Sequence, residues 1–411
     1  MVTVDVVVVG GGIAGGAMAT VLARAGVEVL LLERDMTYRD RVRGETMFPW
    51  GVAELQQLGL VDVLLDAGGG FARKLFMYDE VYDPSTVKPI PLHAMIPGVA
   101  GSLNVGHPQA CQALAAVAES AGAQVRRGVS DVVVQPGEPP ELTYELDGVS
   151  METRPRLVIG ADGRLSVVRR QCGLSLQETE SRTMVGGLLV SGCEGCPTDV
   201  NFNGVQGDFF FLGFPRRDGL MRLYLEWRIG AEKRMTGQRR TEDFLDAFRS
   251  FTCLPEAETF AGVTPAGPMA SYPMTDSWTE DPTAEGVVLI GDAAGWSDPT
   301  LGQGLSVAMR DVRSVSELLL TDTRWRRSSF EPYVRERQER MRRLRITLEI
   351  MLEAVCDFSD RGRERRRVWR RDMPRDPRLL HPVAIQLTGP ESAPAEFMTS
   401  DAVQLVRGLG G

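Results

Sequence analysis

A valine-rich run, Val4 to Val9, leads straight into Gly10-Gly11-Gly12, and a stretch of small residues follows from Ile13 to Ala25. Such a run suits a central strand buried on both faces, and the stretch after it suits a helix. "GVEVLLLERD" then supplies a second buried strand, Glu28 to Leu32. Strand, helix and strand within about 30 residues make a βαβ unit, and parallel strands need such a crossover. In Gly10-x-Gly12-x-x-Gly15 the first glycine permits a tight turn. The second lets backbone approach a pyrophosphate, and the third lets helix and strand pack closely. The helix start then faces the phosphate with its positive dipole end. Glu33 stands about 20 residues on, where a carboxylate accepts hydrogen bonds from a ribose. The spacing therefore predicts a dinucleotide site on a doubly wound α/β sheet.

The same strand-then-glycine style recurs far along the chain. "RLVIGADG" ends in Asp162 and Gly163, and "GVVLIGDAAG" ends in Gly291 and Asp292. Strand ends of this kind collect at the ligand crevice of an open α/β sheet. Between them, from about Thr183 to Ala270, lie short alternating segments such as "TMVGGLLV", "GDFFFLGFP" and "LMRLYLEWR", which read as an antiparallel sheet. Helices are expected near 51–67, 109–121 and 304–320, and from Phe330 to Trp369. The arginines crowding that last stretch read as a solvated helix surface. The expected fold is α/β: a Rossmann-like domain from 1–75, 101–182 and 275–325, interrupted by a β-rich domain from 76–100 and 183–274. A helical region, 326–411, closes the chain.

Net charge is −9, which argues against a general nucleic-acid or membrane-surface binder. No apolar stretch approaches the ~18 residues of a membrane span. The apolar start lacks a basic leader and reads as a strand rather than a signal peptide. Six cysteines in 411 residues do not make a disulfide framework, so a cytoplasmic setting is the default expectation. Cys193-x-x-Cys196 offers two of the four ligands a zinc site needs, and no metal site is expected.

The set "GGGIAGG", "LLLERD", "RVRGE", "VIGADGRLSVVRR" and "VLIGDAAGWSDPTLGQGL" resembles the single-component FAD-dependent aromatic hydroxylases, the para-hydroxybenzoate hydroxylase family. The resemblance covers nearly the whole chain, with the β-rich middle matching the family's substrate domain. It implies FAD as cofactor, NADH or NADPH as a transient donor, and molecular oxygen and a small aromatic molecule as substrates. It places FAD against Gly10, Gly12, Ile13, Ala14, Gly15, Glu33, Arg34, Arg43, Gln109, Asp162, Gly291, Asp292, Pro299, Gly302, Gly304 and Leu305. The turn Pro299, Gly302, Gln303, Gly304 is the expected catalytic element, its amides aimed at negative charge on the reduced flavin. Monomer and homodimer are both compatible with this reading.

Two positions depart from the family pattern. Gly295 stands where histidine usually follows "GDAA", and His107 or Gln109 stands where an arginine often precedes the helix. "GDAAGWSDP" and "GET" are similar to flavin-dependent halogenases, in which Lys74 would be the expected catalytic lysine. The paired tryptophans that mark halogenases are absent. A flavin reductase of the geranylgeranyl reductase type is a further alternative. Phe209, Phe210, Phe211, Phe214, Tyr224 and Trp227 are candidates for a substrate wall, at least half of them expected to be plain sheet core.

Overall fold

The computed structural model describes residues 4–230, 235–255 and 260–410. Its centre is a parallel sheet in which Val6–Val9 lies between Val29–Glu33 and Leu157–Gly160. Gln124–Arg127 extends one side, and Val287–Leu289 with antiparallel Thr283–Ala284 extends the other. The valine run is apolar throughout because both faces are covered. Val6 and Val8 pack beneath the helices Ile13–Arg24, His107–Ser120 and Gly304–Thr321. Val7 and Val9 pack beneath a three-stranded meander formed by Ser130–Gln135, Glu141–Leu146 and Val149–Thr153.

A larger sheet, largely antiparallel, stands beside this unit. Its main strands are Thr183–Ser191, Met221–Arg228, Phe209–Pro215 and Val200–Gln206, with Lys74–Asp79 added in parallel to the last. Alternation splits the aromatic candidates. Phe209, Phe211 and Trp227 lie on the outer face, where Phe211 stacks on Phe251 at 4.5 Å. That face is covered by a helix, Arg240–Ser250, which lies in the stretch expected to hold only strands. Phe210, Phe214 and Tyr224 lie on the inner face, toward the parallel-sheet unit and the C-terminal helices.

The expected helix over 51–67 is two helices, Pro49–Gln57 and Val61–Asp66, because Gly59 turns left-handed between them. The C-terminal stretch likewise divides into Glu331–Val355 and Asp360–Asp372, and the second begins at a Ser359 side-chain cap. Its arginines correct the expectation of a solvated surface. Arg337, Arg340, Arg365 and Arg366 are all buried. Arg366 meets Asp79 at 3.0 Å, both 1% exposed, which clasps the C-terminal helices to the large sheet. A buried guanidinium is tolerable only with such a partner.

Candidate functional site

Three glycine-bearing turns converge at the C-terminal ends of the parallel strands. Gly10 sits at φ 103°, and a Cβ there would come within 2.5 Å of the Ala161 carbonyl oxygen. A Cβ at Gly15 would overlap the carbonyl oxygen of Gly10. These two glycines let the first turn, the first helix and the 161–163 turn touch. Gly12 is different: a Cβ there would meet nothing within 4 Å, so this face is open. The helix Ile13–Arg24 has no side-chain cap, which leaves the amides of its first turn, around Ile13 and Ala14, turned to that opening. Glu33 closes the edge. Its carboxylate accepts the Gly11 N–H at 2.7 Å and the Asp35 N–H at 2.8 Å.

Gly291 packs against Ala14, and the Gly291 N–H donates to Asp311 at 2.8 Å. Asp292 remains partly exposed beside Arg164, 3.4 Å away. Arg43 lies over the Tyr272 ring, and burial together with Arg164 disfavours its charge. Two guanidiniums and one carboxylate therefore share the mouth of the cleft. Arg43 is aimed there by a strained neighbour. Val42 is a buried β-branched residue at φ 55°, a conformation costing about 1–3 kcal/mol. The Asp40 carboxylate accepts its N–H, and the Tyr272 hydroxyl donates to its carbonyl.

The third turn, Pro299–Leu301, is capped by Asp298, with Gly302 left-handed at φ 69°. The helix Gly304–Thr321 follows without a side-chain cap, and Gly304 faces open space. Leu305 lies on the far side of Gly44, whose other neighbour is His107. Burial, Arg41 and Arg43 hold His107 neutral, down at about 4. The turn meets the large sheet through Thr300, whose hydroxyl is 2.9 Å from Glu226.

Other expected residues stand further back. The Gln303 side chain is fully buried, accepting from the Trp50 indole at 2.7 Å and donating to the Leu301 carbonyl at 2.8 Å. It fixes the turn from behind and does not reach the cleft. The Asp162 carboxylate turns to the helix Val167–Gln171, taking the Val167 N–H at 2.6 Å and the Ser166 hydroxyl at 2.5 Å. Arg34 points outward to Asp35, and Gln109 is exposed on the first turn of its helix. Lys74 is half-exposed on the outer-face register of its strand, 4.0 Å from Asp199. Cys193 and Cys196 are buried as a thiol pair. Among the described residues no group of three or more His, Cys, Asp or Glu is placed to hold a metal ion, and no helix is long and apolar enough to cross a membrane.

Several residues of the site carry no local sequence mark. Arg337 reaches from the long helix to donate to the carbonyls of Ala294 and Gly295 at 3.0 and 3.1 Å. Arg337 and Arg340 both pair with Asp311, at 3.2 and 2.7 Å, behind the 291–295 turn. Glu45, 3% exposed, meets Arg216 at 2.7 Å and Arg222 at 3.2 Å across the gap between the two sheets.

An uncapped helix start beside an opening with no Cβ, a carboxylate at the second strand end and a second uncapped helix start fit FAD. The first helix would take the pyrophosphate, Glu33 the ribose, Asp292 the ribityl chain, and the 299–304 turn the flavin. Comparisons with known proteins support FAD as the cofactor. A rifampicin monooxygenase of Streptomyces venezuelae is 28% identical over 316 residues, 75% of this chain and 62% of that protein. Squalene epoxidase 3 of Arabidopsis thaliana is 27% identical over 323 residues, 77% of this chain and 60% of its own. The chain thus spans about 60% of the length of these curated relatives. In fold it is similar to a flavoprotein/dehydrogenase from Cytophaga hutchinsonii, with TM-score 0.77, 17% identity and 99% of each chain covered. It is also similar to a flavin-dependent brominase, with TM-score 0.75, 19% identity, and 98% of this chain and 99% of that one covered. The sequence profile described as "FAD binding domain" matches residues 3–345, and the chain belongs to that family.

Proposed function

We propose that the chain is an FAD-dependent monooxygenase, taking electrons from NADH or NADPH and one oxygen atom from molecular oxygen to hydroxylate or epoxidise an electron-rich small aromatic molecule. The observation that carries this reading is the pair of uncapped helix starts, at Ile13 and Gly304, open at Gly12 and Gly304 and brought together at Gly291, which packs against both Ala14 and Ala308. Bound FAD supplies the redox and oxygen-transfer chemistry. The chain's own groups bind, orient and shield. The amides at Gly304 and Leu305 present positive charge to the end of the cleft where negative charge develops. Phe210, Phe214 and Tyr224 offer an apolar inner face that excludes water. His107, being neutral, adds no cation there.

The monooxygenase names of the curated relatives support the reaction class. The halogenase alternative requires a lysine at the substrate. The outward, half-exposed position of Lys74 gives it no support. The test is direct. Purified protein should be yellow and release FAD on heating. Candidate aromatics should accelerate NADH or NADPH oxidation, with isotopically labelled oxygen appearing in the product. A colourless protein that FAD cannot reconstitute ends the proposal. A product that forms only with halide and a separate reductase ends the hydroxylase reading.

A further inference from the structure

Glu226 lies on the inner face of the large sheet, 1% exposed, where the 299–301 turn and the end of the long helix Glu331–Val355 meet it. The deeply buried carboxylates Glu45, Glu54, Asp79 and Asp311 each pair with arginine, whereas Glu226, Asp276 and Asp298 form a cluster without a direct arginine partner among the described residues. Among the described residues Glu226 makes no ion pair. Its neighbours are Thr300 and Asp298 from the turn, Cys356 from the long helix, Thr183 and Arg228 from the sheet, and Asp276 behind Asp298. The nearest cations act on the others: Arg164 and Arg182 on Asp298, Arg345 and Arg337 on Asp276, and Arg228 on Cys356.

A hydrogen count fixes the arrangement. Thr300 Oγ1 is 2.7 Å from Asp298 Oδ1, 2.9 Å from Glu226 Oε1 and 3.1 Å from Glu226 Oε2. One hydroxyl hydrogen cannot serve both carboxylates. With both ionised, lone pairs would face each other across a buried 2.9 Å gap. A proton on either carboxylate resolves this, and Glu226 is the one to hold it. Asp298 Oδ1 already accepts the Thr300 N–H at 2.9 Å and has Arg164 and Arg182 nearby, whereas among the described residues no cation faces Glu226. Glu226 then donates to Thr300, and Thr300 donates to Asp298.

A second observation lies on the other side of Glu226. The Cys356 thiol, 3.1 Å from Glu226 Oε1, also lines a cavity of about 60 Å³. Thr183, Arg182, Arg228, Glu353 and Asp357 are among its walls. The cavity holds a few water molecules by volume and is polar enough to keep them. Thr183 is 2% exposed, and its hydroxyl stands between this cavity and Glu226. Arg228 carries the wall out to solvent, its side chain 57% exposed.

We propose that Glu226 is a protonated acid in the native protein and the inner station of a proton path from this cavity, through Thr300, to Asp298 beside the Pro299–Leu301 turn. Each transfer balances. Glu226 gives its proton to Thr300 as Thr300 gives its own to Asp298. A cavity water then gives a proton to the Thr183 hydroxyl as Thr183 gives its own to Glu226, and the hydroxyls rotate back. One proton enters from solvent and one is delivered at the turn. Glu226 is thus a positioning and relay residue, acting through Thr300. That the delivered proton serves the flavin reaction rests on the proposed function; the protonation of Glu226 does not.

The test has two arms. Burial also raises Asp276, to about 7. Infrared difference spectroscopy across a pH titration, on the protein with and without flavin, should therefore show a protonated carboxyl band near neutral pH that Glu226→Gln removes and Asp276→Asn leaves in place. If that band is absent from the wild type, or survives in Glu226→Gln, the proposal falls whatever the flavin does. In the second arm, proton uptake from solvent is followed with an indicator dye during anaerobic reduction of the bound flavin. Glu226→Gln and Thr183→Val should slow it on the order of a hundredfold with flavin content unchanged, and Glu226→Asp should restore much of the rate. Equal uptake rates in wild type and both variants overturn the path. Failure of all forms to bind FAD overturns the proposed function and leaves the infrared result to decide the protonation of Glu226.

Discussion

Single atoms decide much of this site. At Gly15 the helix start passes so close to the Gly10 carbonyl that one methyl group forces them apart. Gly15→Ala is expected to cost about 1–3 kcal/mol or more and to lower FAD retention sharply, measured by urea unfolding and by flavin content after gel filtration. Asp292→Ala removes an exposed acceptor and disturbs no packing. Stability should stay within about 0.5 kcal/mol while flavin is lost on dilution, and unchanged flavin content would strike Asp292 from the site. Glu226 gives a pH signature. Burial and Asp298 push it up to about 8, above the ordinary glutamate range near about 4.3. Between those values the folded chain holds a proton that the unfolded chain has released. The stability tied to this group is therefore whole below the unfolded value and is lost as pH rises through about 8, at up to about 1.4 kcal/mol per pH unit. Glu226→Gln lacks this slope. Its urea midpoint relative to wild type should rise between about pH 5 and about pH 8, and parallel pH profiles would refute the shift.

Elements reveal what sequence patterns carry and what they miss. The valine strand, the glycine turn and Glu33 were legible because each rests on neighbours in sequence: periodicity, a turn and a strand end. The buried arginines were not. Whether Arg337 or Arg366 is solvated depends on Asp311 and Asp79, which no local pattern links to them. Helix Arg240–Ser250 was hidden for a related reason. Phe244, Leu245 and Phe248 sit at helical spacing, but in a stretch otherwise read as strands. Gln303 was read as catalytic along with the turn that holds it, and only the packed structure shows its side chain bound to Trp50. The long helix therefore carries a prediction of its own. Arg337→Leu leaves Asp311 half-paired and three carbonyls of the 291–295 turn without this donor. A loss of about 3–5 kcal/mol in unfolding free energy is expected, with weaker flavin binding in whatever remains folded.

At the scale of the whole molecule, the cleft lies between two sheets that the C-terminal helices hold together. Arg366 grips Asp79, Arg337 grips the 291–295 turn, and the Gln386 carbonyl accepts from Gln303 at 3.3 Å. A chain ending at residue 325 should neither stay soluble nor retain flavin, and a yellow, monodisperse fragment would contradict that. The reach of these contacts also sets an order in time. Protein synthesis runs from the N-terminus, and early segments begin to fold while later ones are still being made. The Gly10–Gly15 turn finds its partners in the first half of the chain, up to Ala161, whereas the 291–295 turn is not pinned until Arg337 has left the ribosome. The half of the site proposed to take the nucleotide thus precedes the half proposed to seat the flavin ring. With FAD seated as proposed, the nascent chain has a place for adenosine diphosphate before it has one for a whole flavin.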